Sequence, residues 1–333
     1  MLVAGCSDSP SYYKYSQVVV FGASLSDTGN VFAATGGTSP GPAPYYYDGR
    51  WSNGPLWIEN VASVLGKSVT RSSAGGTNFA YGGAKTCGIA GVTSAVPDMC
   101  AQVAIFLGAT GGKADSEALY VIDASSVGNN TLVVLGSAGA VPSSAITSAA
   151  PADVSALMKQ LYSAGARRFM VTNVPDVGAT PYVKNLGAEA SAGAKQLSNG
   201  FNASLTNAMN NFRAANSGSK VDIADFNGTS AAGLNNTAPC LNPTTFAICA
   251  TPDTYQYWDP FHPTAETGRR VTTTALSAIA EQDCLKCELH GSVNFYAVFL
   301  FIRSCVIFQK QSRLIQSIAW RTCDIGGKLD GCF

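Results

Sequence analysis

The sequence predicts an α/β fold, a three-layer α/β/α sandwich around a central, mostly parallel sheet. Two observations carry this expectation. Short apolar runs rich in β-branched and aromatic residues alternate along the chain with longer segments whose apolar residues recur at helical spacing. That alternation suggests a parallel sheet covered on both faces by helices. Hydrophobic residues make up 46% of the 333 residues, enough for a sizeable core.

The elements follow in order. Residues 17–21 (QVVVF) end at Gly22 and read as a buried strand. Residues 35–44 are rich in Gly and Pro and must be loop. Residues 55–65 place Leu56, Ile58, Val61, Val64 and Leu65 at helical spacing. Residues 119–122 (LYVI) form a second strand, and Asp153 is placed to cap a helix running through Leu157, Leu161 and Tyr162 to Gly165. Residues 168–172 read as the third strand. Leu197, Phe201, Leu205, Met209 and Phe212 form one apolar helix face, and residues 220–224 a fourth strand. In such sheets ligands sit beyond the carboxyl ends of the strands, and Ser24 follows the first strand at that edge.

Composition narrows the function. Lys plus Arg and Asp plus Glu are 21 each, so the formal net charge is zero. A nucleic-acid binder needs a basic field, and none is present. Charged residues are only 13%, against about 25% in an average domain. Gly, Ala, Ser, Thr and Asn take their place, a surface chemistry typical of exported proteins. Ten cysteines are present; Cys87 and Cys100 bracket one loop, Cys240 and Cys249 another. Both pairs read as disulfides, which need an oxidising compartment, with buried free thiols as the alternative.

The two ends differ from the middle. Residues 1–11 read as a truncated signal or lipobox-like segment: Val3-Ala4-Gly5-Cys6 resembles a lipoprotein cleavage box, although no charged or long apolar stretch precedes it. Cys6 is thus the expected point of any membrane tether. Residues 283–333 hold Cys284, Cys287, Cys305, Cys323 and Cys332, and read as an atypical appendage such as a read-through or frame-shifted end. Their apolar run at 295–302 is shorter than the roughly 20 residues of a membrane span. The lone C-x-x-C at Cys284–Cys287 is weak evidence for metal. One catalytic domain is expected over 12–282.

Only two histidines exist, His262 and His290, and His290 lies in the appendage. His262 stands in Trp258-Asp259-Pro260-Phe261-His262-Pro263-Thr264. A loop turning through Pro260 brings the Asp259 carboxylate back to one ring nitrogen, leaving the other as a general base. A surface histidine in a proline-flanked turn is the competing reading. Ser24 lies in Gly22-Ala23-Ser24-Leu25-Ser26-Asp27; taken alone it reads as readily as a helix cap. The G-x-S-x-G elbow is not met, because Ser26 replaces its second glycine. Tyr45, Tyr46 and Tyr47 either line a pocket or lie on the surface, the second being favoured.

These blocks together resemble the GDSL (SGNH) esterases and lipases, from about Val18 to Arg270. The first is Gly22 to Asp27, with Ala23 in place of the family's usual Asp. Gly49-Arg50-Trp51-Ser52-Asn53-Gly54-Pro55 is close to the family's GRFSNGP. Gly76-Thr77-Asn78-Phe79-Ala80-Tyr81-Gly82-Gly83-Ala84 is the next block, then Asn173-Val174-Pro175-Asp176-Val177-Gly178, and finally Asp259 to Thr264. The resemblance implies an SGNH-hydrolase-like, flavodoxin-like sandwich, with Ser24 as nucleophile, His262 as base and Asp259 as its orienter. It further implies an oxyanion hole from the N–H of Ser24, the N–H of Gly83 in preference to Gly82, and an Asn side chain. The family's G-x-N-D-like block is matched by Gly128-Asn129-Asn130 only if about two residues lengthen the loop. Otherwise Val127 holds the position; Gly136-Ser137-Ala138-Gly139 offers no amide. Asn129 is the choice and Asn130 the spare.

The expected activity is hydrolysis of carboxylic esters through an acyl-enzyme, without cofactor or metal, by a monomeric exported protein acting on a small-molecule or lipid ester. A carbohydrate O-acetyl esterase, a phospholipase or an acyltransferase would use the same triad. A surface binding protein with a decayed site is the non-enzymatic rival, which Ala23 and the displaced Asn block favour. A metal-dependent hydrolase is disfavoured by the two histidines and the lack of an H-x-x-H pattern.

Overall fold

Four strands, β1 (Val18–Phe21), β2 (Leu119–Ile122), β3 (Arg168–Thr172) and β4 (Lys220–Ala224), form one sheet in a computed structural model. The structure describes residues 11–89, 92–229 and 231–281. Cys6 and the lipobox-like segment, His290, the Cys284–Cys287 pair and the apolar run at 295–302 lie outside the described residues. The strands are all parallel and stand in sequence order, with Val18 opposite Leu119, Leu119 opposite Arg168 and Arg168 opposite Lys220. All four match the runs read from the sequence.

Both faces of the sheet are buried at β1 and β2, which is why those two strands are apolar throughout, whereas β3 and β4 carry Arg168, Lys220 and Asp222 at partly buried positions. Val19, Phe21, Tyr120, Ile122, Phe169, Val171 and Val221 point into one core. Helices α2 (Met99–Ala109), α3 (Val127–Gly136), α4 (Ala150–Ala164) and α5 (Ala188–Ala215) cover it. Their alternates Val18, Val20, Leu119, Val121, Met170 and Ala224 point into a second core, under α1 (Trp57–Val64) and α6 (Ala265–Ile279). The three layers expected from the sequence are present, and residues Tyr12–Ala280 form one compact unit.

Three details differ from expectation. Asp153 does not cap α4; the helix begins at Ala150, accommodates Pro151 in its first turn and carries Asp153 inside that turn. A proline there costs nothing, because first-turn N–H groups have no helical partner. α2 was not legible, since its apolar residues lie all round: Met99, Val103 and Phe106 are buried while Ile105 is 47% exposed. The segment after β2 that carries Gly128, Asn129 and Asn130, expected as a loop, is a 3₁₀ turn (Ala124–Ser126) leading directly into α3.

Disulfides join Cys87 to Cys100 and Cys240 to Cys249, the two pairs the spacing suggested. Among the described residues no helix is long and apolar enough to cross a membrane.

Candidate active site

The carboxyl ends of all four strands open into one cavity of about 360 Å³. Ser24 and Leu25 reach it from β1, Ser125, Gly128 and Asn129 from β2, Val174 to Val177 from β3, and Phe226 from β4. His262 closes it from the loop before α6. Trp51, Trp57, Leu132, Phe261 and Val271 make most of the wall apolar, and Asp176 is its only acidic residue among those described.

Ser24 sits in a turn fixed on every side. Gln102 takes the Gly22 N–H on Oε1 at 2.9 Å and donates Nε2 to the Gly22 carbonyl at 2.9 Å. A Cβ on Gly22 would meet the Asp123 Cβ at 2.6 Å, so only glycine lets the chain leave β1 this close to β2. Two residues on, the Ser26 hydroxyl donates to Asp123 Oδ2 at 2.6 Å and accepts the Trp57 indole N–H at 3.2 Å. Asp123 also accepts from the hydroxyls of Ser125 and Thr172. Burial pushes the Asp123 carboxyl above the ordinary carboxylate range, against the pull of these hydroxyls. Ala23, where the family carries Asp, is buried in the cavity wall and asks for no polar partner.

Asp27 joins this turn to the next block. Its Oδ1 accepts from the N–H of Gly29 at 2.9 Å and of Asn30 at 2.6 Å, and its Oδ2 from Val31 at 3.2 Å and Gly82 at 2.8 Å. The Gly82 N–H is therefore spent. Gly83 follows in a left-handed conformation, φ 82°, and lines the cavity. Among the described residues the N–H groups of Ser24 and Gly83 take no acceptor. Sequence reasoning had no role for Asp27; an Asp before Gly and Asn, the pattern of an Asx turn, was the available signal.

Asn129 lies in the first turn of α3, lines the cavity and donates Nδ2 to the Ala84 carbonyl at 2.7 Å. An amide has two such protons, so one remains for the cavity. Asn130 is buried and committed to Thr86, accepting its N–H at 3.1 Å and donating to its hydroxyl at 3.0 Å. Val127 points into the core beneath.

His262 Nδ1 lies 2.7 Å from Asp259 Oδ2 and 2.9 Å from Oδ1. Both residues are buried. Oδ1 also accepts the N–H groups of Phe261 and His262, each at 2.8 Å. Burial alone would raise the Asp259 pKa; the imidazole charge, its hydrogen bond and the two N–H groups outweigh that and leave the carboxyl below its ordinary value. The loop is docked by the GRWSNGP-like block. Ser52 donates to the Pro263 carbonyl at 2.8 Å, Asn53 Oδ1 accepts the Ala265 N–H at 2.8 Å, and a Cβ on Gly54 would meet Ala265 Cβ at 2.9 Å. Trp51 places its ring 4.9 Å from the imidazole.

The three tyrosines do not line the cavity. Tyr45 packs on Phe246 beside the Cys240, Leu241 and Trp258 cluster, Tyr47 is 46% exposed, and Tyr46 donates its hydroxyl to Asp259 Oδ2 at 2.8 Å. The contact joins residues 213 apart, and nothing in the local sequence announces it.

The carboxyl edge of this parallel α/β sheet thus brings a serine, an Asp-paired histidine and, among the described residues, N–H groups without an acceptor to one cavity. The model of the GDSL-like lipase/acylhydrolase family matches residues 18–272, and the chain belongs to that family. Over 69 residues it is 42% identical to a phosphatidylcholine-sterol acyltransferase of Aeromonas hydrophila, covering 20% of each chain. Over 184 residues it is 31% identical to Lipase 1 of Photorhabdus luminescens, covering 55% of this chain and 26% of that one. A GDSL esterase/lipase of Arabidopsis thaliana is 24% identical over 310 residues, covering 79% of this chain and 91% of that one. The chain thus spans about a fifth and a quarter of the first two relatives. Among solved structures, a lipase from a goat rumen metagenome is similar with a TM-score of 0.43 at 13% identity, over 80% of this chain and 98% of that one.

Proposed function

We propose that the protein hydrolyses carboxylic esters by a Ser24–His262–Asp259 triad. The observation that carries this is the Asp259 carboxylate held 2.7 Å from His262 Nδ1, on a histidine that lines the same cavity as Ser24. With Nδ1 held as donor, Nε2 is the basic nitrogen. It takes the Ser24 proton as Oγ attacks the ester carbonyl; the imidazolium then returns that proton to the leaving alcohol, and an acyl-enzyme remains. Water, deprotonated by the same nitrogen, releases the acid and restores the serine.

The oxyanion is held by the N–H of Ser24, the N–H of Gly83 and the second Nδ2 proton of Asn129. The engagement of Gly82 by Asp27 and of Asn130 by Thr86 supports this choice of donors. Donors of this kind act because they are already oriented where charge develops. The apolar wall and its volume of about 360 Å³ favour an acyl chain over a polyol in the cavity. The two disulfides support an exported protein, since such bonds persist in oxidising compartments. The monomeric state, the tether through Cys6 and the division into 1–11, 12–282 and 283–333 are parts of the same proposal.

Ser24→Ala should lower turnover of a p-nitrophenyl acyl ester by at least about 10⁴-fold. A variant that turns over at the wild-type rate disproves the assignment. Labelling of Ser24 by a fluorophosphonate separates an active enzyme from a binding protein on the same fold, because only an activated hydroxyl reacts.

A further inference from the structure

We propose that Tyr46 is a positioning residue of the acyl-transfer site, holding the Asp259 carboxylate in the plane that orients His262. The inference rests on the triad reading given above.

The two oxygens of Asp259 are held differently. Oδ1 is fixed by its own loop, through the N–H groups of Phe261 and His262 at 2.8 Å each. Oδ2, the oxygen nearer Nδ1, has one partner besides the imidazole among the described residues, the Tyr46 hydroxyl at 2.8 Å. Rotation about the Cβ–Cγ bond swings both oxygens, so the Tyr46 bond to Oδ2 adds a second restraint to the loop's hold on Oδ1 and acts directly on the oxygen that faces Nδ1; with Oδ1 alone held, the plane is fixed only as stiffly as two bendable hydrogen bonds allow.

The donor is itself held in place. The Tyr45 carbonyl accepts the Trp258 indole N–H at 2.8 Å, the Tyr47 N–H donates to the Ser52 carbonyl at 3.0 Å, and the Tyr46 ring meets Trp51 edge-on at 6.4 Å. Both neighbours of Tyr46 are thus tied to segments that themselves touch the histidine loop. Burial, with the adjacent carboxylate, pushes the Tyr46 phenol far above its ordinary value, so it remains a donor throughout the pH range of an esterase.

Donation to Oδ2 also withdraws charge from the carboxylate and tempers its pull on the imidazole. The surrounding groups leave this contact dominant. Trp51 presents an uncharged ring to His262, and Tyr182 stacks on Phe261 at 4.3 Å. Asp176, in the cavity wall, has Lys195 Nζ 3.8 Å from its Oδ2 and Tyr257 as its phenolic neighbour.

The test compares Tyr46→Phe with Tyr45→Phe, which removes the adjacent hydroxyl but leaves the backbone carbonyl on Trp258. Tyr46→Phe should lower kcat about tenfold with KM unchanged, the size of a lost hydrogen bond to a charged group. The acidic limb of its kcat/KM profile should move up by about half a pH unit, because the untempered carboxylate favours the protonated imidazole. Tyr45→Phe should behave as wild type. Placing 3-fluorotyrosine at position 46 keeps the hydroxyl and the fold, strengthens the donor and should move the limb down.

A Tyr46→Phe enzyme with wild-type kcat and an unmoved limb overturns the proposal. So does a fall in kcat with an unmoved limb and a lowered Tm, which is the mark of a structural prop. An unmoved limb with 3-fluorotyrosine does the same. Fluorophosphonate labelling separates the two layers of the argument: a wild type unlabelled at Ser24 overturns the triad and this role together, whereas a labelled wild type with an indifferent Tyr46→Phe overturns only this role.

Discussion

The two halves of the site are held by different means. Ser24 stands at the end of a strand in a parallel sheet, within a buried polar network formed by Asp27, Asp123, Gln102 and Asn78. Asn78 donates to the Ser26 carbonyl at 2.7 Å, and its Oδ1 accepts the Ala80 N–H at 2.9 Å. His262 stands in a loop of no regular structure, fixed from outside by Tyr46, Ser52 and Asn53, more than two hundred residues earlier in the chain. The serine side, the nucleophile side in the proposed mechanism, is built into the core; the histidine side is docked onto it. Position on the first side costs global stability when disturbed, and on the second side it costs catalytic geometry.

Substitutions can break that contrast. Asp27→Ala leaves the N–H groups of Gly29, Asn30, Val31 and Gly82 without their acceptor. A loss of about 3–5 kcal/mol is expected, read from the urea midpoint. A loss under about 1 kcal/mol would place the nucleophile loop with the docked half. Asn129→Ala, which removes the bond to the Ala84 carbonyl, should cost only about 1 kcal/mol by that midpoint but lower kcat by about 10²–10³-fold, the scale of one oxyanion donor. Steady-state kinetics with unaltered kcat would remove Asn129 from the site. Asn53→Ala frees the Ala265 N–H at the start of α6, and should cost about 1 kcal/mol with a several-fold fall in kcat. A Tm change with no kinetic change would show that the histidine loop holds itself.

Acid separates the halves with opposite sign. The Asp259 carboxyl titrates lower in the folded protein than in the unfolded chain, so its contribution is present above the unfolded carboxylate value, about pH 4, and is lost as pH falls through its depressed folded value. Asp123 titrates higher when folded, so its contribution is full below about pH 4 and is lost as pH rises through its elevated value. Below about pH 4 the amides of residues 259–265 should therefore lose hydrogen-exchange protection before those of residues 22–31. Simultaneous loss would deny the difference.

How much of this was legible follows the same division. The first two strands could be read because burial on both faces leaves an unbroken apolar run, the other two because β-branched and aromatic residues still outnumber Arg168, Lys220 and Asp222 between turn signals, and Asp259 and His262 because they are three positions apart. α2 was hidden by apolar residues on its solvent side, and α6 by its Thr and Arg content, though Thr264, accepting the Thr267 N–H at 3.3 Å, marks its start. The duties of Asp123 and Gln102 and the reach of Asp27 to Gly82 were invisible, because each depends on which backbone N–H or hydroxyl the folded chain brings near. Tyr46 shows the limit most clearly. Beside Tyr45 and Tyr47 it is one of three identical letters, and only the folded chain separates a surface ring from a partner of Asp259.

The long reach between Asp259 and the segment carrying Tyr46, 213 residues, has a consequence for biosynthesis under the proposed reading. A nascent chain halted anywhere short of His262 carries an attacking hydroxyl with nothing to deprotonate it. Competence arrives late, when the closing loop and α6 behind it seat themselves against a sheet whose four strands precede them, so unfinished polypeptides are inert toward the esters of the cell that makes them.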